Sequence, residues 1–62
     1  MKVGDLVATD FEDLGLAIII RAPHKKVGDH IYVEVFLIDP DHDVFHPGYM
    51  MTMLAENCKV IG

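Results

Sequence analysis

Apolar and polar residues alternate most cleanly between His30 and Asp39. The odd positions Ile31, Val33, Val35 and Leu37 are aliphatic, and the even positions are Tyr32, Glu34, Phe36 and Ile38. Successive side chains of a strand point to opposite faces. The segment therefore predicts a strand with an aliphatic core face and a second face that is aromatic with one acid. Leu16–Arg21 (Leu-Ala-Ile-Ile-Ile-Arg), opened by Gly15, predicts another strand. Its three consecutive isoleucines are stiff at χ1 and favour an extended backbone. Val3–Thr9 reads as the first strand, Val44–His46 as a short fourth strand, and Cys58–Ile61 as a fifth, closing strand.

The intervening segments read as turns. Asp10–Leu14 is an acidic loop with Phe11 and Leu14 as anchors. Ala22–Asp29 reads as a hairpin connection, because Pro23 has no N–H to give to a ladder. Asp39–Asp43 is a turn whose aspartates bond local backbone N–H groups. In Tyr49–Leu54, the residues Tyr49, Met50, Met53 and Leu54 fall on one helical face. That spacing predicts a short helical or 3-10 turn before the last strand. Short strands at intervals of roughly 8–12 residues, joined by Gly, Pro and Asp turns, predict one all-β domain over residues 1–62, a small barrel or sandwich.

Composition adds a problem of burial. A domain of this size buries only about 60% of the surface its unfolded chain exposes. Yet 52% of its 62 residues are apolar. Some of that surface is expected to remain outside as a patch, and large apolar patches mark contacts with other chains. Met50, Met51 and Met53 cannot all point inward from one short element, and methionine suits adaptable binding surfaces. The expected contact residues are Tyr49, Met50, Met51 and Met53, with Tyr32 and Phe36 from the third strand. The partner is a protein or a second copy, making a homo-oligomer.

Charge narrows the partners further. The net charge is -5, with ten acidic and five basic residues. The basic residues nearest to a patch are Arg21, Lys25 and Lys26, too few for the phosphate contacts that carry non-specific nucleic-acid binding. Met1-Lys2 has no apolar stretch behind it, and the longest apolar runs fall far short of the roughly 20 residues of a membrane span. A soluble, cytoplasmic protein with no membrane partner is expected.

Candidate chemistry concentrates in Asp39–His46, with three carboxylates and two imidazoles in eight residues. Asp41, His42 and His46 are the candidate metal ligands, since His and Asp suit zinc and similar cations. The simpler reading is a solvated acidic turn, with His46 packed on the fold. No metal or other cofactor is implied. Nucleophilic catalysis lacks its residues. There is no serine, and Thr9, Thr52 and Cys58 are the only alternatives. Cys58 sits in the closing strand, where a cysteine behaves as a small hydrophobe. With one cysteine there is no internal disulfide. The chain is read as non-enzymatic, with no catalytic residues.

The order of these elements resembles the SH3-like barrels, including KOW- and Tudor-type modules. The resemblance rests on Val3-Gly4-Asp5-Leu6-Val7, the glycine-led Leu14–Ile19, the long Val33–Asp39, and a helical turn before Cys58-Lys59-Val60-Ile61. More narrowly, the chain is similar to short single-domain proteins of tailed bacteriophages, notably marine cyanophages. Those proteins pair such an opening with a strand ending in Asp and an aromatic-His-Pro step, here Phe45-His46-Pro47. The resemblance implies a five-stranded SH3-like barrel of phage or marine microbial origin, acting in an infected host cell or on a virion. KOW modules that touch nucleic acid carry basic loops, whereas the opening loop here is Asp10-Phe11-Glu12-Asp13. A Tudor-type aromatic cage would draw on Tyr32, Phe36, Phe45 and Tyr49, with Glu34 as the acid. The favoured expectation is a non-catalytic protein–protein interaction or structural module. The alternatives are a KOW-like nucleic-acid module using Arg21, Lys25 and Lys26, and a metal-binding hairpin at residues 39–46.

Overall fold

The alternating segment forms the strand on which the sheet is assembled. A computed structural model describes all 62 residues. Its strands are β1 (Leu6–Thr9), β2 (Leu16–Val27), β3 (His30–Leu37), β4 (Met50–Leu54) and β5 (Cys58–Val60), with one 3-10 turn at Ala55–Asn57. The fold is all-β, with five antiparallel strands in a single sheet of order β4-β3-β2-β1-β5. No helix is long and apolar enough to cross a membrane.

The core lies on one face. Val7, Leu14, Ala17, Ile19, Val33, Val35, Leu37 and Met53 form one buried cluster. Its β3 members are the odd positions, as the alternation requires. Ile31 is the exception at 45% exposure. It pairs with Lys26 near the β2–β3 turn, past the end of the core. The backbone register carries the same facing across the sheet: Val33 opposes Met53, Ile19 opposes Val35, and Ala17 opposes both Leu37 and Val7.

Three expectations are corrected. First, Ala22–Asp29 is not a hairpin connection. β2 continues through it to Val27, and the turn is the two residues Gly28-Asp29. Register shifts between Ile19 and Arg21, and again between Arg21 and Lys25, absorb the extra residues. Pro23 sits in the second irregularity, where its missing N–H breaks no regular ladder. Gly28 has φ 59, a left-handed conformation that this tight turn fills with glycine.

Second, Val44–His46 is not a strand. The N–H groups of Val44 and Phe45 donate to Nδ1 of His42, at 2.9 and 3.4 Å. A local side-chain acceptor thus takes backbone donors that a strand would have used. Third, Tyr49–Leu54 is not helical. Met50–Leu54 is the fourth strand, and the 3-10 turn follows it. Its helix-compatible methionines are overruled by pairing with β3 along five consecutive residues. The first strand is also shorter than Val3–Thr9, although Gly4 N–H still donates to Ile19 O at 2.8 Å. At the other end, Leu6 exchanges backbone bonds with Ile61 and Gly62, which fastens the C-terminus to β1.

The two faces of β2 make a direct comparison. Ile19 is fully buried and Ile18 lies on the outer face. Ile19→Val is expected to lower unfolding free energy by about 1 kcal/mol. Ile18→Val should cost less than about 0.5 kcal/mol. Urea unfolding of both variants checks this, and a larger cost at Ile18 would contradict the facing.

Candidate functional site

The outer face of the sheet carries the most distinctive chemistry, and it is apolar. Even positions of β3 point away from the core, so their cross-strand partners do too. In register, Leu6 opposes Ile18, Ile18 opposes Phe36, and Phe36 opposes Met50. One row across four strands is therefore entirely apolar. A second row lies beside it. Ala8 opposes Leu16, and Ile38 N–H donates to Leu16 O at 3.2 Å. Phe36 is 40% exposed and Met50 61%, while Leu16 and Ile38 are also exposed. Gly48 lies beside the Phe36 ring, where an added Cβ would sit 3.7 Å from it.

Polar groups border this face. Glu34 lies 3.9 Å from the Arg21 Nε and 3.6 Å from the His24 Nε2, on the side of the row toward the hairpin. These pairs are partly exposed and contribute little to stability. An apolar surface with a polar border is the usual form of a contact site.

The expected contact residues divide. Phe36 and Met50 are direct cross-strand neighbours on the exposed row. Tyr49 is exposed beside them, but its ring packs edge-on to Phe45 at 4.9 Å and to His46 at 5.9 Å. Tyr32 shares the outer face of β3, four residues from Phe36 and hence about 13 Å away. Met51 faces inward, half-buried, and lines a groove with Phe11, Leu14 and Phe45. Met53 is corrected outright. It is 4% exposed and belongs to the core, so it has no surface to offer. The separation of Tyr32 from the Phe45–Tyr49 pair also leaves the aromatic cage unassembled.

Leu6, Leu16, Ile18 and Ile38 share this face and are not among the residues the sequence singled out. A signal was present in Leu16–Ile20, which is apolar at every position. Such a run means a strand apolar on both faces, so both faces call for cover. The present chain covers one face fully and leaves the other half-buried at Leu6 and Ile18 and exposed at Leu16, Phe36, Ile38 and Met50.

The Asp39–His46 segment is a loop fastener. Asp41 N–H donates to Asp13 O at 2.8 Å, and the His42 Nε2 lies 3.4 Å from the Asp13 carboxylate. The His42 ring packs on Phe45 at 4.7 Å. With Nδ1 accepting from Val44 and Phe45, both ring nitrogens of His42 face protein groups. His46 turns instead toward Tyr49 and its neighbour Pro47. Asp41, His42 and His46 do not converge, and no three His, Cys, Asp or Glu side chains are grouped to hold a metal ion.

The basic residues are also dispersed. Lys25 opposes Tyr32 and Lys26 opposes Ile31, so consecutive lysines point to opposite faces of the hairpin. Arg21 is beside Glu34. An apolar groove of about 270 Å³ lies between Met1, Ala22, Pro23, Ile31, Val33 and Ala55 and is open to solvent.

Cys58 is half-buried, with its sulfur 3.4 Å from the Met53 sulfur and 3.7 Å from Leu54 O. Burial, and then the charge of Asp10, push its thiol above the ordinary value of 9.0. The thiol therefore stays protonated near neutral pH, which makes it a poor nucleophile. No family model, curated protein or solved structure matches this chain.

The raised thiol has a pH signature. The folded chain holds the Cys58 proton more tightly than the unfolded chain does. Its contribution to stability is present below 9.0 and is lost as pH rises through the raised value. Urea unfolding at neutral and alkaline pH should show a smaller alkaline loss in Cys58→Ala than in the wild type. Equal losses would mean that burial does not hold the thiol.

Proposed function

We propose that this chain is a non-catalytic protein–protein interaction module, an SH3-like barrel that docks through the outer apolar face of its sheet, on itself or on a protein partner. The observation that carries this reading is the unbroken row Leu6, Ile18, Phe36 and Met50, flanked by Leu16 and Ile38. Covering apolar surface releases about 25 cal/mol per Å² removed from water. A chain that needed this face only for folding gains nothing from making it apolar.

The barrel reading is supported by strand order. β2 is long enough to pair with β1 through its first part and with β3 along its length, with irregularities between. A 3-10 turn links β4 to β5, the two ends of that order. The phage reading is supported by the Val3–Val7 opening and the Phe45-His46-Pro47 step. It assigns the protein to an infected host cell or a virion. The missing serine and the protonated Cys58 thiol support a role without catalysis. The dispersal of Arg21, Lys25 and Lys26 weighs against a nucleic-acid module.

The test is a Leu16→Glu/Phe36→Glu double variant beside the wild type. Both residues are exposed, so the fold is expected to survive, as read by circular dichroism. The wild type, at concentrations where it is monomeric, should bind an apolar dye. The double variant should bind none. A wild type that remains monomeric and binds no dye would overturn the reading. So would a double variant that behaves as the wild type does.

A further inference from the structure

We propose that β4 pairs with β4 of a second copy, antiparallel and centred on Thr52, extending the sheet to ten strands across a two-fold axis. This inference goes beyond the docking reading above: it concerns the edge of the sheet, and the outer face stays open in the paired state.

The first support is an unused edge. β4 pairs only with β3, and it ends the strand order. Leu37 N–H donates to Tyr49 O at 2.9 Å, and Gly48 N–H donates to Leu37 O at 2.8 Å. Antiparallel ladders alternate, so the backbone groups of Met51 and Met53 face β3 and those of Met50, Thr52 and Leu54 face outward. Outside the β3 ladder, none of Met50–Met53 takes part in a turn, loop or cap bond, whereas Leu54 is the N-cap of the 3-10 turn and its O also lies 3.7 Å from the Cys58 sulfur.

The second support is that this edge is undefended. Solitary sheets protect their edges with charges, prolines, bulges or very short strands. β5, the opposite edge, has two of these defences: it is three residues long and has Lys59 at its centre. β4 is Met-Met-Thr-Met-Leu, without charge or proline, and its register with β3 is unbroken. Such an edge is a template for another strand.

Charge and symmetry select a second copy as that strand. The chain carries a net charge of -5, and its only acidic residue within a strand is Glu34. Most surfaces of two copies therefore repel, but two β4 edges meet without like charges facing directly. Centring on Thr52 sets Thr52 against Thr52 and Met50 against Leu54. Both are favourable cross-strand pairs, a hydroxyl pair flanked by apolar pairs. The same register aligns the outward backbone groups of Met50, Thr52 and Leu54 with their counterparts. Sliding by one residue would set outward groups against inward ones. The apolar row that ends at Met50 then continues into Leu54 and Tyr32 of the copy. An isologous contact of this kind closes at two copies. Five residues a side fall below the roughly 1,200 Å² of a standard interface, so the dimer forms and dissociates with concentration.

The experiment is Thr52→Pro. The Thr52 N–H points outward, so proline removes an edge donor without taking a bond from the β3 ladder. The wild type is expected to reach twice the monomer mass in sedimentation as concentration rises. Thr52→Pro should remain monomeric with an unchanged circular dichroism spectrum. Thr52→Lys serves as the second variant if the proline chain does not fold, with the same expected loss. Amide exchange in the wild type should slow at Met50, Thr52 and Leu54 with concentration. Persistent dimers of both variants, fast exchange at Thr52 in the dimer, or a wild type that assembles beyond two copies would overturn the pairing. A wild type that stays monomeric yet binds apolar dye on the face would overturn the pairing alone and leave the docking reading standing.

Discussion

The two-residue period of β3 is the constraint from which the rest of the structure follows. Val33, Val35 and Leu37 must all be inward, because a slip of one residue would expose them together and bury Tyr32, Glu34 and Phe36. That requirement fixes the register of β2 on one side and β4 on the other. Ile19 and Met53 then enter the core opposite Val35 and Val33. The same register necessarily places Ile18 and Met50 outward, on either side of Phe36. The outer apolar row is thus a consequence of core formation together with the choice of apolar residues at positions the core does not use.

Charge is distributed to leave that row clear. The acidic residues lie almost entirely in the turns and loops, where Asp10–Asp13 and Asp39–Asp43 approach each other. Asp13 joins the two loops by accepting from the Asp41 N–H, with His42 against its carboxylate. His42 in turn organises the chain before Phe45, whose half-buried ring packs against the core. The acids that suggest a metal site in the sequence are spread along this junction and do not converge on one point. The lysines separate for the reason that the hydrophobics separate: adjacent strand residues face opposite ways.

Much of the fold was legible because β-branched residues and two-residue alternation act locally. The all-β class, β3 with its core face, the first half of β2, and the closing strand at Cys58 all followed from such signals. β4 was not legible. Tyr49 and Met53 have helical spacing, and methionine is neutral enough that pairing with β3, a long-range contact, decides its conformation. The extension of β2 past Pro23 was hidden for a similar reason. Proline reads as a terminator unless a bulge is known to receive it. In the candidate site, Phe36 and Met50 were visible as excess apolar residues. Their in-register neighbours Leu6 and Ile18 were not, because facing in β1 and β2 depends on pairing that no local pattern displays.

The central claim is that the outer apolar row is the surface through which this protein makes contact. The most direct measurement is a titration with an apolar dye, followed by amide and methyl NMR shifts across the whole chain. The account predicts dye-dependent shifts at Leu6, Leu16, Ile18, Phe36, Ile38 and Met50, with the buried Ile19, Val35 and Leu37 unchanged. Shifts confined to the Asp39–Gly48 loop, or to the hairpin carrying Lys25 and Lys26, would contradict it.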